Sequence, residues 1–243
     1  MTHNLSKLIR EQKFNPGFLG VFINPFYFVR RELFKSTSLL SPHIKGKILD
    51  VGCDNKPYQK LFTHAKEYIG LELDSPENRK KGEANVFYDG KHFPFGDSTF
   101  DSVVFTQVLE HVFNPDEFLN EINRILKKDG NILLTAPFIW DEHEQPHDYA
   151  RYSSFGLGHL LKKHGFQIIK SFKMVDDIRV IFQLINCFIY KLLPPVKSYR
   201  FRLCLYVLLI SPFTILGIFF SLFFPKSRGR DLYMQNVILA QKI

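Results

Sequence analysis

Cysteine is scarce in this chain: Cys53, Cys187 and Cys204 are the three among 243 residues. None stands in a Cys-x-x-Cys pair, which excludes the usual thiolate metal clusters, and an odd number cannot all pair within one chain. A reducing, cytoplasmic setting is expected. The opening residues, MTHNLSKLIREQK, lack the apolar run of a secretory leader. No G-x-G-x-x-G follows a strand-like segment, which speaks against a dinucleotide pyrophosphate seated on glycine amides.

Acid is missing where it matters most. Between Ile178 and Arg230 there is no Asp or Glu, while Arg179, Lys191, Lys197, Arg200, Arg202, Lys226, Arg228 and Arg230 all fall there. The net charge of +8 therefore has a local origin, because the remaining 24 basic residues are matched by 24 acidic ones. That excess sits in the most hydrophobic part of the chain. Nucleic-acid binding would place it on a polar surface, so an anionic membrane surface is the expected partner and nucleic acid is not.

What is present is a regular α/β alternation. KILDVG (47–52) is a short apolar run ending in glycine, the mark of a buried parallel strand. Residues 56–65 read as helix, and strands are expected at 67–73, 84–89, 101–106 and 131–138. Asn114 is a candidate N-cap with Pro115 at the first helical position and Glu117 completing a capping box; Lys127, Lys128 and Gly130 suit the end of that helix. A helix at 153–165, a sixth strand at 166–174 and a last strand at 232–242 follow. The expected fold is a Rossmann-like, mostly parallel seven-stranded sheet with helices on both faces, its last strand antiparallel and preceded by a hydrophobic helical insertion.

In such a sheet, ligands bind beyond the carboxyl ends of the strands. Four loops at that edge carry candidates. Asp50, Gly52, Cys53 and Asp54 follow strand one, with Gly52 allowing a tight turn. Glu72 and Leu73 end strand two, where a carboxylate can take both hydroxyls of a ribose. Asp89 and Gly90 precede Phe93-Pro94-Phe95, and Thr106 and Gln107 precede Leu109-Glu110-His111.

In this order the motifs resemble the class I S-adenosylmethionine-dependent methyltransferases, in the subgroup sharing the menaquinone and ubiquinone methyltransferase pattern (type 11). The family's D-x-G-C-G appears as Asp50-Val51-Gly52-Cys53-Asp54, its S-F-D as Thr99-Phe100-Asp101 and its L-E-H as Leu109-Glu110-His111. The resemblance covers residues 46 to 174 and the last strand, and implies S-adenosylmethionine as cofactor. Asp50 and Glu72 would face its cationic groups and Asp89 its adenine amine. Asp54 departs from the pattern, standing where the family has a second glycine. Its charge opposes the donor's carboxylate.

Residues 139–152, IWDEHEQPHDYARY, should meet the acceptor. His143, His147 and Asp148 are candidate bases, and Glu144, Arg151 and Tyr152 candidate acceptor contacts; an ion pair between Asp148 and Arg151 that only braces the loop is the alternative. His143-Glu144-Gln145-Pro146-His147 spells a zinc-protease H-E-x-x-H, but Pro146 argues against the helix that motif needs, so no metal is expected. Cys53 reads as a small buried side chain, and Glu110 and His111 either anchor the following helix or join the site.

Residues 203–224 contain no charge and are long enough to cross a membrane. If the last strand returns to the sheet, however, one crossing would strand it on the wrong side. The stretch at 178–193 is short and carries Arg179 and Lys191, and Ser211-Pro212 interrupts the longer one. A monotopic hairpin on the cytoplasmic membrane face is expected, with a dimer interface as the alternative. The domains so read are an N-terminal helical extension (1–45), a methyltransferase domain (46–175 with 231–243) and the insertion (176–230). The expected activity is methyl transfer to a glycan, lipid-linked sugar, lipid or quinone. A non-catalytic membrane adaptor and an RNA-modifying methyltransferase are the rivals.

Overall fold

The computed structural model describes residues 11–195, 198–226 and 228–243. Expectations resting on residues 1–10 and on Lys197 lie outside the described residues. The chain divides into two compact units, one of Ser36–Phe172 with Gln235–Ile243, the other running to Lys35 and resuming over Lys173–Met234.

The first unit is built on a seven-stranded sheet. Its strands are β1 (Gly46–Val51), β2 (Ala65–Leu73), β3 (Val86–Tyr88), β4 (Phe100–Thr106), β5 (Leu126–Pro137), β6 (Phe166–Met174) and β7 (Gln235–Lys242). Their spatial order is β3-β2-β1-β4-β5-β7-β6. The pairs from β3 through β5 are parallel, and β7 runs antiparallel to β5, with Pro137 opposite Gln235. Strand order reverses between β1 and β4, which puts the ligand crevice beside Gly52. Consecutive buried residues in β4 (Val103, Val104, Phe105) and β5 (Ile132, Leu133, Leu134) show a sheet covered on both faces.

Two helices read from the sequence are corrected. Residues 56–65 form no α-helix; a single 3-10 turn at Gln59–Leu61 links β1 to β2. Helix α4 (Pro115–Ile125; α3 is the short Pro76–Lys81) buries Phe118, Leu119, Ile122 and Ile125 as expected. Asn114, however, makes no side-chain cap, and the helix stops at Ile125, so Gly130 does not end it. Leu126 is already extended. The cation at the helix terminus is Lys242 of β7, whose Nζ donates to the carbonyls of Asn123 (2.6 Å) and Leu126 (2.7 Å). Lys127 instead pairs with Asp101. Helix α5 (Ser154–Lys163) is capped by Ser153, whose hydroxyl accepts from the Gly156 amide.

The second unit is helical: α1 (Gly20–Ile23), the first part of α2 (Tyr27–Leu40), α6 (Arg179–Leu192), α7 (Tyr199–Leu205) and α8 (Ser211–Phe223). Ser211-Pro212 does not break the long apolar segment, contrary to the reading of the sequence. A π turn at Tyr206–Ile210 joins α7 to α8. There the Ser211 amide reaches back to the Tyr206 carbonyl, and the Ser211 hydroxyl donates to the Val207 carbonyl at 2.7 Å. The wider turn makes room for the proline ring while the loosened carbonyls keep partners. Polar side chains point inward: Asn186 donates to Thr214 Oγ1 (2.9 Å), and Gln183 binds the Phe28 amide and the Pro25 carbonyl. Apolar ones point outward, with Leu208, Leu222 and Phe223 each more than 65% exposed.

Gly217 sets how closely this bundle packs. A Cβ there would fall 2.7 Å from Phe28 Cζ and 3.0 Å from Phe182 Cβ, and Phe28 is fully packed. Gly217→Val should therefore destabilise the protein by about 1–3 kcal/mol by overpacking, read as a lower urea midpoint. Unchanged stability would contradict this packing.

Candidate active site

The four loops at the carboxyl edge do converge. The backbone turns sharply after β1, with Gly52 at φ 65° and Asp54 at φ 40°. Gly52 has no room for a side chain, since a Cβ would sit 2.6 Å from Val108 Cγ2. The Asp54 amide donates to Glu72 Oε2 at 3.0 Å, joining the first loop to the second. The other Glu72 oxygen accepts from the Leu73 amide. Glu72 thus presents an oriented carboxylate that forms no ion pair among the described residues. Asp54 turns its own carboxylate to Lys81 Nζ, 3.3 Å away. That exposed pair offsets the charge which, in the sequence, opposed the donor's carboxylate.

Asp89 Oδ1 accepts from the Lys91 and His92 amides, which closes the third loop over Gly90 (φ 86°) and holds the carboxyl below its ordinary range. Asp50 is buried, and Tyr68 donates its hydroxyl to Asp50 Oδ2 at 2.6 Å. Burial outweighs that hydrogen bond and pushes the carboxyl up to about 7. Burial likewise pushes the Cys53 thiol up to about 12, so it is a packed thiol and makes no thiolate. Gln107 (φ 58°) spends its side chain on structure, donating to Thr135 Oγ1 (3.0 Å) and accepting from Gln235 (2.9 Å). Thr106 ends β4 beside it.

The loop after β5 is ordered by Arg151. Its guanidinium makes two 2.6 Å bonds to Asp148 and also reaches the carbonyls of Trp140, Asp141 and Ala150. Two readings of the sequence change. Asp148 is held well below the usual carboxylate range by that guanidinium, which makes it a poor base. Arg151, fully engaged, has little left for an acceptor. Tyr152 packs against the core and accepts through its carbonyl from Asn236. His143 and Glu144 (φ 50°) remain at the rim, and His147 is exposed with Nδ1 3.0 Å from Tyr149 Oη. The segment is not helical, so His143 and His147 do not share a zinc-protease face.

Residues 49–134 match the family described as a methyltransferase domain. An uncharacterised methyltransferase of Mycobacterium leprae (strain Br4923) is 32% identical over 108 residues, which is 41% of this chain and 40% of that protein. The stretch from 49 to 134 is thus similar to a methyltransferase domain. An uncharacterised protein of Methanocaldococcus jannaschii is 32% identical over 126 residues, 50% of this chain and 54% of that one. The chain thus spans about half of the length of these relatives or less. Among solved structures, the 4+2 cyclase SpnF superposes with a TM-score of 0.55 at 19% identity, covering 86% of this chain and 80% of that one. At that identity the likeness is one of methyltransferase fold.

Two features were not legible in the sequence: the Tyr68 hydroxyl on Asp50, and the complete burial of Glu110, which pushes its carboxyl up to about 8. Asp50 yields a pH test. Its folded value is raised above the usual 3.8, so the folded state keeps a proton that the unfolded chain gives up, and stability falls as pH rises from about 4 to about 7. Between pH 5 and pH 8 the wild type should lose on the order of 2 kcal/mol more than Asp50→Asn, measured by urea unfolding. Parallel pH profiles would sink the assignment.

Proposed function

We propose that this methyltransferase binds S-adenosylmethionine between Glu72 and Asp89 and transfers its methyl group to an amphiphilic acceptor: a lipid, a quinone, a glycan or a lipid-linked sugar. The observation that carries the donor reading is the Glu72 carboxylate, oriented by the Asp54 and Leu73 amides. The donor set fits. A carboxylate that only accepts suits the two donating hydroxyls of a ribose, and its charge suits a nearby sulfonium. Asp89 Oδ2, with no partner among the described residues, suits an exocyclic amine. Asp50 lies deeper, its proton available for release when a cation settles nearby.

When bound, the donor supplies an electrophilic methyl group whose carbon–sulfur bond breaks with its electron pair staying on sulfur. The chain's part is to hold the acceptor in line and, for a hydroxyl acceptor, to take up its proton. His143 and His147 are the bases left once Asp148 is committed to Arg151. Glu144 is the exposed acceptor contact on this loop. The loop after β5 carries more carboxylates than cations: Asp141, Glu142, Glu144 and Asp148 against Arg151. That balance supports a small or amphiphilic acceptor over an RNA, whose phosphates it would repel.

The helical unit supports the reading of an amphiphilic acceptor. Tyr199–Phe223 has a mean hydropathy of 2.4 over its most apolar window, only 28% of which is buried. Because β7 pairs with β5, a single crossing is excluded by connectivity, and α6, at 14 residues, is about 21 Å long and too short for a second. We read the segment as lying monotopically on an anionic membrane from the cytoplasmic side. Two tests apply. Glu72→Gln and Asp89→Asn should each lower S-adenosylmethionine affinity by about 10- to 100-fold, the value of a charge-assisted hydrogen bond; calorimetry showing no change would refute the donor site. Replacing Phe219, Leu222 and Phe223 together by Ser should abolish co-flotation with phosphatidylglycerol vesicles, and a full chain that never floats with them refutes the membrane reading.

A further inference from the structure

We propose that Glu110, His111 and His143 bind one divalent transition-metal ion at the rim where β4 and β5 end. One donor atom from each residue lies within 4.8 Å of the other two. Two imidazoles and a carboxylate suit zinc, manganese or ferrous iron, and not calcium with its all-oxygen shell. The residue that points to a ligand is Glu110. It is completely buried, and neither carboxylate oxygen has a hydrogen-bond partner. Protonation alone does not solve this, because a carboxylic acid still carries an O–H in need of an acceptor. A cation held jointly with two imidazoles satisfies the group.

Both rings are prepared from behind. His111 Nδ1 lies 2.6 Å from the His147 carbonyl oxygen. His143 Nδ1 lies 3.2 Å from the Asp141 carbonyl and 3.3 Å from Asp148 Oδ2. With Nδ1–H donating to these acceptors, the lone pair of each ring sits on Nε2, which is how outer partners orient metal-bound histidines. Asp148 is itself fixed by Arg151 and by the His143 amide, 2.9 Å from Oδ2. The Tyr149 and Ala150 amides bond the Glu110 carbonyl, which ties this loop to the turn that carries Glu110 and His111. Asp148 and Arg151 are thus positioning residues for His143. His147, the other half of the H-E-x-x-H string, contributes its carbonyl and stays outside the ligand set.

Three protein ligands leave coordination positions open, as at catalytic metal sites. An acceptor hydroxyl bound there would become more acidic and give its proton to water, and His143, as a ligand, would then not serve as the base. The resulting oxygen lone pair then forms the new O–C bond as the donor's C–S bond breaks with its pair kept by sulfur. This role rests on the methyl-transfer reading. Ion binding itself does not.

The test uses the full chain, stripped with chelator and titrated with Co2+ followed by visible absorption, then with Zn2+ in competition, without donor or acceptor. One ion per chain is expected. His143→Ala and Glu110→Gln should weaken binding by more than the roughly 10- to 100-fold that loss of an outer partner costs, Asp148→Asn should fall within that range, and His147→Ala should leave affinity unchanged. Circular dichroism checks each fold; if Glu110→Gln does not fold, the wild-type stoichiometry and His143→Ala decide. No stoichiometric uptake by the wild type, or wild-type affinity in His143→Ala, overturns the proposal. A chain that binds cobalt but not S-adenosylmethionine overturns the methyl-transfer reading alone; the reverse result overturns only the metal site.

Discussion

The antiparallel pairing of β7 against β5 is the constraint on which most of this molecule depends. Seven consecutive partners, from Asn131 with Gln241 to Pro137 with Gln235, fix its register, and Gln235 through Ala240 are all buried. A register slip of one residue would turn Val237 and Leu239 to the opposite face of the sheet, so the pairing is strongly specified. Its first residues reach the site. Gln235 holds the Gln107 amide, and Asn236 holds the carbonyl of Tyr152. The strand that closes the fold also braces the two loops that flank the candidate metal ligands. At its other end Lys242 terminates α4. Because this strand comes last in the chain, whatever precedes it must deliver the chain back to the sheet, and that requirement limits what the apolar helices can do in a membrane.

The site is made from backbone conformations that side chains usually avoid. Asp54, Gln107 and Glu144 all adopt positive φ, and each stands in a loop beyond the carboxyl end of a different strand. Such residues cost on the order of 1–3 kcal/mol apiece and persist only where their surroundings hold them. Here the holding bonds are identifiable. Glu72 receives the Asp54 amide, Thr135 and Gln235 clamp Gln107, and the Asp148–Arg151 pair bridges the segment around Glu144. The strain and the bracing occur together, so the geometry of the rim is imposed by the sheet behind it.

The strands were legible because buried parallel strands are short apolar runs, and β6 falls where its apolar residues begin and end. The donor loops were legible because each carries a carboxylate or glycine at a strand end. What failed had local causes. Residues 56–65 have helix-like composition, yet Pro57 and the positive φ of Lys56 leave space only for a 3-10 turn. Gly130 looked like a helix terminus, but the chain is extended from Leu126 and runs on as β5, with Asp129 at φ 61° inside that strand. The roles of Asp148 and Arg151 were left open between catalysis and bracing, and only the geometry of two short ion-pair bonds chooses. Glu110 and His111 showed in the sequence as a pair with two readings. Their meeting with His143, on the far side of β5, depends on a loop whose path no periodicity encodes.

The helical unit poses a question that charge counting alone answers wrongly. The acid-free stretch suggests eight cations for anionic lipid, but acids just before it and in α2 take several of them. Arg179 pairs with Asp177 and Glu32, and Lys226 and Arg230 face Asp176. Among the described residues Arg200, Arg202 and Arg228 stand in no such pair, and each is worth about 1 kcal/mol near an anionic surface. Electrostatics is then a modest contribution, and the apolar face must dominate. Burying Leu208, Phe219, Leu222 and Phe223 is worth about 1.5–3 kcal/mol for each side chain, more than those arginines supply. The unit faces its amides and hydroxyls inward and its large apolar groups outward, an arrangement that water does not favour and that a hydrocarbon surface or a second apolar protein face does. Adsorption should for this reason weaken only slightly as salt rises, whereas attachment through eight free cations would collapse.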